Sequence, residues 1–81
     1  ITDERIVHQV DIEIDGVPVA VVAIEWGRMG DDPLYSIGCA FEADGHYLEA
    51  VKNLGTPKLD IAIAACEKLA ANHKAIIQMF P

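Results

Sequence analysis

"VDIEIDGVPVAVV", residues 10–22, settles the fold class. Apolar and polar residues alternate on both sides of Asp15-Gly16, and a period of two marks a half-buried strand. Asp-Gly between two such runs predicts a two-residue hairpin loop, because a type I′ turn needs positive φ at both central positions. "CAFEADGHYLEAV", residues 39–51, repeats the arrangement around Asp44-Gly45. The likeness of "EIDG" to "EADG" is shared turn chemistry, too short to be a repeat.

A two-residue loop fixes which residues face each other. Counting back from the first turn puts Ile14 opposite Val17, Ile12 opposite Val19, Val10 opposite Val21 and His8 opposite Ala23, with Ile6 opposite Glu25. That aliphatic face is the expected core. The other face pairs Glu13 with Pro18, Asp11 with Ala20, Gln9 with Val22, Val7 with Ile24, and Arg5 with Trp26. In the second hairpin Phe41 meets Leu48 and Cys39 meets Ala50, while Glu42 with Tyr47 and Ala40 with Glu49 occupy the far side.

A helix follows. Thr56 suits the N-cap, Pro57 the first helical position, and Asp60 the first turn, where the helix dipole favours an acid. Leu59, Ala62, Ile63, Cys66, Leu69 and Ala70 recur at helical spacing and form one apolar stripe. Beyond Ala70 there are two continuations. The stripe can run on through His73, Ile77 and Phe80. Alternatively Asn72-His73 closes the helix, with Asn in the left-handed cap conformation, and "KAIIQMF" (residues 74–80) returns as a strand. The paired isoleucines favour the strand. The expectation is a single α+β domain over residues 1–81, an antiparallel sheet of four or five strands with one helix on one face. A helix about 10 Å wide cannot cover four strands spaced about 4.8 Å, and it cannot touch the second face.

Eighty-one residues, 52% of them hydrophobic, suffice for one folded core and no more. The net charge of −7 is unevenly placed. Residues 1–50 carry eleven acids against Arg5 and Arg28, whereas residues 51–81 carry two acids against four lysines. An acidic front half disfavours direct binding to nucleic acid, whose affinity comes largely from Lys and Arg on phosphates. It suits attraction to a basic protein surface. The longest uncharged apolar stretch, Val17 to Ile24, falls short of the roughly 20 residues that cross a bilayer as a helix. No basic segment ahead of an apolar run marks a signal peptide. Cys39 and Cys66 match no metal or redox spacing, and the reading is two reduced core thiols in a cytoplasmic protein.

The one tryptophan sits in "VVAIEWGRMGDDP", residues 21–33. The register places Trp26 on the face away from the helix, with Val22, Ile24, Val7 and Arg5, and with Asp11, Glu13, Glu42 and Glu49 around them. An apolar patch with a charged rim reads as an interaction surface. Tryptophan and arginine are also the types most enriched at binding hot spots. The competing reading folds the C-terminal segment, or residues 27–33, over Trp26 and buries it.

Candidate chemistry is thin. His8 and Glu25 share the core face, diagonal to each other, and an imidazole–carboxylate pair can do acid–base work. A ligand-binding or enzymatic site between sheet and helix near these two is therefore the alternative. Cys39 and Cys66 fall within aliphatic stripes, where thiols are inert. "GRMGDD", residues 27–32, lacks the Lys-Ser/Thr ending of a phosphate loop and places two acids where phosphate would sit. Asp31-Asp32 lack the rest of a calcium loop. No catalytic residue, metal or cofactor is expected. The β-β-β-α order resembles that of double-stranded RNA-binding domains. The helix start "TPKLD", however, brings one lysine in place of a basic cluster, and no leading helix is present, so no family is assigned. The reading is a small acidic protein-interaction module: an inhibitor or regulator of a basic, nucleic-acid-binding partner, or a homodimeric accessory protein. Its expected contact residues are Trp26, Val22, Ile24, Val7, Arg5, Asp11, Glu13 and Glu42.

Overall fold

The computed structural model describes residues 2–28 and 31–80, apart from the side chains of residues 2, 3, 27, 28, 31 and 32. Four strands follow one another as an antiparallel meander in the order β1-β2-β3-β4: β1 (Thr2–Ile14), β2 (Val17–Arg28), β3 (Asp31–Ala43) and β4 (His46–Thr56). Each strand has between 11 and 13 residues. At about 3.3 Å per residue the longest reach about 40 Å, which accounts for the 42 Å long axis. Asp15 and Gly16, with φ of 50° and 82°, join β1 to β2, and Asp44 and Gly45, with φ of 52° and 77°, join β3 to β4. Both turns therefore lie at the same end of the sheet.

The first hairpin holds the turn-set register from Ile14↔Val17 down to His8↔Ala23, then shifts. Ile6 lies opposite Ile24, leaving Val7 as the extra residue of a β-bulge. A bulge of one residue turns every side chain beyond it to the other face. Arg5 consequently pairs with Glu25 and not with Trp26, Glu4 lies opposite Trp26, and Val7 packs against the core instead of standing beside Ile24. The ion pair Arg5 Nη2–Glu25 Oε1 at 3.1 Å replaces the expected meeting of Arg5 with the indole. A second irregularity separates Tyr35↔Thr56 from Ser36↔Asn53, so that Leu54 and Gly55 are extra on β4. Gly55 takes φ of 64°, and its N–H donates to Asn53 Oδ1 at 2.9 Å, the Asx-type bond that lets a strand kink.

Helices α1 (Leu59–Ala70) and α2 (His73–Gln78) lie together on one face of the sheet. The helix starts two residues later than its capping signals suggest. Thr56 ends β4 and its Oγ1 accepts from Lys58 N–H at 3.2 Å, while Lys58 occupies the N-cap with no side-chain cap. Asp60 does fall in the first turn. Residues 74–80 do not form a strand. Asn72, at φ −115°, is not a left-handed terminator; its Oδ1 accepts from Ala75 N–H at 3.2 Å and starts α2. Asn is among the best N-caps, and that role wins over its C-terminal one here. The paired isoleucines then split, with Ile76 2% exposed and Ile77 55% exposed.

Val19, Val21, Ala23, Ile37 and Cys39 from the sheet meet Ala62, Cys66 and Ala70 of α1 and Ile76 of α2. The facing residues are mostly small, so α1 sits close to the strands; the Cys66 thiol donates to the Val21 carbonyl at 3.5 Å. Cys39 contacts Met79, Sγ to Sδ 3.9 Å, and the two cysteines are free. Burial raises both thiol pKa values, with Glu67 adding to the shift at Cys66. Phe41 and Phe80 close the turn end of this layer edge to face, centroids 4.9 Å apart. Among the described residues no helix is long and apolar enough to cross a membrane.

Candidate partner-binding face

Neither helix reaches the second face of the sheet. Its floor is made by the two central strands, where Ala20 pairs with Ala40, Val22 with Gly38, and Ile24 with Ser36. Small residues on β3 keep this floor low. Gly38 has no alternative, because a Cβ there would stand 2.9 Å from the Ala50 carbonyl oxygen and 3.3 Å from Val51 Cγ2. The edge strands rise on either side. Ile6 and Gln9 of β1 form one wall, and Tyr47, Glu49 and Val51 of β4 form the other. The result is a trough of about 450 Å³ running along the strands. Ile6, Val51 and Tyr47 are 57%, 51% and 69% exposed, high values for large apolar side chains on a sheet.

Trp26 lies on the same face, two residues beyond Ile24 along β2 and opposite Glu4. Its Nε1–H donates to Ser36 Oγ at 2.7 Å, and Ser36 is fully buried. The indole is thus half-buried and held down onto β3, with its polar edge satisfied. The C-terminal segment does not cover it, since α2 packs on the opposite face. Whether the "GRMGDD" loop bears on it falls outside the description, because Met29, Gly30 and the side chains of Asp31 and Asp32 are not among the described residues.

The other end of the face is acidic. Asp11 and Glu13 of β1 and Glu42 and Glu49 near the second turn are all exposed on this side, as is Glu4 beside the Trp26 end. Among the described residues no Lys or His belongs to this face by register, and Arg28, which alternation along β2 sets two residues beyond Trp26, has a side chain outside the described ones. Lys52 pairs with Ile37 on the helix side, Lys58 caps α1, and Lys68 and Lys74 lie in the helices. Arg5 touches the trough from the edge of β1, but its guanidinium is engaged by Glu25.

Of the residues singled out from sequence, Trp26, Val22, Ile24, Asp11, Glu13 and Glu42 share this face, Val7 packs on the other, and Arg5 pairs with Glu25 of the other face while bordering the trough. Ile6 and Glu4 join this face, and no sequence signal announces the bulge that brings them there. Ser36 and Gly38 are not singled out by the sequence, and Ala40 is placed only within its own hairpin, for another reason: a connection that is not a two-residue turn leaves the register of β2 on β3 open. The alternation of small residues in "SIGCA", 36–40, was the available sign.

His8 and Glu25 do not meet. His8 Nε2 lies 3.5 Å from Glu67 Oε1 on α1 and makes no hydrogen bond. Glu25 instead accepts from the Tyr35 hydroxyl at 3.0 Å and pairs with Arg5. Burial, then the hydrogen bond and charge of Glu25, raise the Tyr35 pKa, against a smaller lowering by Arg5. A second groove, about 320 Å³ and almost wholly apolar, opens where the first turn meets α2, with Ile14, Phe41, Ile77 and Phe80 in its walls. It contains neither His8 nor Glu25. No cluster of His, Cys, Asp or Glu suited to a metal occurs among the described residues. Comparison with known protein families, with curated proteins and with solved structures finds no match for this chain.

Proposed function

We propose that this chain is a protein-binding module that takes a basic protein partner on the open face of its sheet. The observation that carries the reading is the separation of charge between the two sides of the molecule. An uncovered apolar floor is rimmed by Glu4, Asp11, Glu13, Glu42 and Glu49, while the lysines sit on the helix side. A solvated antiparallel face with no partner is normally polar throughout. Apolar floor supplies affinity when it is covered, and the exposed carboxylates steer a cationic surface into place. The steering weakens with salt over a Debye length of about 8–10 Å.

Self-association through the same face is the weaker reading. A two-fold dimer presents one patch to its own copy, so two troughs would meet hollow to hollow, each with a carboxylate rim. A basic surface of a nucleic-acid-binding protein fits better, with carboxylates where phosphates otherwise sit. The module then acts as an inhibitor or regulator. Two free buried thiols suit a reducing, cytoplasmic setting.

The test is site-specific photo-crosslinking in cells, with the reactive side chain at Val51 on the trough wall or at Lys68 on α1. The expected result is capture at position 51 of a partner rich in Lys and Arg, lost in the Glu42→Lys/Glu49→Lys variant. Capture of the chain by itself, or equal capture from position 68, contradicts the reading.

A further inference from the structure

Resting on that reading, we infer that the element seated in the trough is a single amphipathic α-helix of the partner, small and apolar on one side and basic on both flanks. Three features of the face lead there. The first is backbone chemistry. The floor consists of Ala20, Val22, Ile24, Gly38 and Ala40, and their main-chain groups are spent on the sheet ladder. A strand or loop laid across such a floor loses water from its own N–H and C=O groups and finds no replacement, an expensive loss. A helix arrives with those groups already bonded to one another.

The second feature is width. Four strands spaced about 4.8 Å set the edge strands about 14 Å apart. The side chains of Ile6, Gln9, Tyr47 and Val51 narrow that gap from both sides. A helix is about 10–12 Å across with its side chains, and one carrying Ala or Ser on its inner face fits the low floor over Ala20, Gly38 and Ala40. From Ala20 to Ile24 the floor runs about 13 Å at roughly 3.3 Å per residue, the length of about nine helical residues.

The third feature is charge on both walls. Glu4 of β1 and Glu49 of β4 line the trough from opposite edges, and Asp11, Glu13 and Glu42 carry the acid on toward the turns. A helix lying between them meets carboxylates on its left and its right. Lys or Arg is therefore required on two flanks, a pattern that a one-sided basic patch does not satisfy. This is helix-in-groove recognition.

Two displayed libraries of 14-residue peptides test the inference on the intact chain. One is patterned as a helix, with Ala, Ser, Leu or Val on one face and Lys or Glu free to vary on both flanks. The other alternates apolar and Lys/Glu positions as a strand. The helical library is expected to enrich, with Lys on both flanks. Binding of its clones should fall about tenfold or more in Ala40→Trp, which fills the floor. It should fall by about tenfold in Glu42→Lys/Glu49→Lys, where only exposed rim charges change. Circular dichroism and thermal melting of both variants confirm that the fold is kept. Enrichment of strand-patterned, Lys-rich clones that Ala40→Trp abolishes overturns the helix inference and leaves the basic-partner reading standing. Enrichment of acidic flanks, or of clones indifferent to both variants, overturns the two together.

Discussion

The two faces of the sheet are built from the same strands and do opposite things. On one, Val19, Val21, Ala23, Ile37 and Cys39 disappear under α1 and α2. On the other, Ala20, Val22, Ile24, Gly38 and Ala40 form a floor that nothing in the described chain covers. The residues of β2 are nearly as aliphatic on one side as on the other, so hydrophobicity alone does not distinguish core from binding surface. The surroundings do. The covered side is closed by contacts within the chain, such as the Cys66 thiol on the Val21 carbonyl and the Arg5–Glu25 ion pair, whereas the open side is edged with carboxylates that have no cation of this chain beside them among the described side chains. Burial against the chain's own helices and burial against a partner call for the same floor and for different rims.

The comparison breaks most visibly through stability. Ile76→Ala, at a fully buried position, should cost about 2–5 kcal/mol. In a domain of this size that lowers the melting temperature by about 10–30 °C. Val22→Ala, on the open face, should cost less than about 1 kcal/mol. Equal losses would mean that the open face is covered after all. Gly38→Ala probes the floor itself. Its Cβ meets the backbone of β4 at 2.9 Å, so β3 and β4 must part slightly, at about 1–3 kcal/mol. Denaturant melts measure the loss, and amide exchange should quicken along β4 more than along β1.

Ser36→Ala removes the acceptor of the indole N–H and should cost about 1 kcal/mol. Because the indole is then free to lift from β3, its emission should shift to the red and quench more easily. An unchanged spectrum would show that packing, and not this bond, holds Trp26.

The smallest expected effect concerns pH. Tyr35, Cys39 and Cys66 lie on the covered side and all have raised pKa values, chiefly through burial. A raised value means that the folded state holds its proton longer than the unfolded state does. The stabilisation is complete below the unfolded values, about 8.5 for thiols and about 10 for tyrosine. It is lost as pH rises toward the folded ones. Stability should therefore decline above about pH 8.5–10, with the Tyr35 part absent in Tyr35→Phe. A melting temperature that rises across this range contradicts the assignment.

The architecture was legible where local chemistry is unambiguous. Period-two alternation around the two Asp-Gly pairs marks an antiparallel sheet, and the stripe from Ala62 to Ala70 marks a helix laid across it. The open face was legible by subtraction, since one helix cannot cover two sides. Three features were not. The bulge at Val7 lies seven residues from the turn that sets the register, and nothing in "RIVHQ" distinguishes a regular strand from one with an inserted residue. Val7 is consequently expected on the wrong face and Arg5 opposite the wrong residue, and Ile6 and Glu4 are overlooked. The C-terminal segment misled because Asn serves either helix end, and only packing of Ile76 on the core decides which. The trough depends on β2–β3 pairing, a long-range register that no short turn dictates.

The most direct test is solvent relaxation of methyl groups by a neutral gadolinium chelate, read across a concentration series from micromolar to millimolar protein. The account predicts strong broadening at Ala20, Val22, Ala40 and Val51 at every concentration, with Val21, Ala23 and Ala62 untouched. Open-face methyls shielded throughout would mean that the chain covers its own floor. Shielding that grows with concentration would mean that a second copy occupies the trough, and either result contradicts a face kept open for a basic partner.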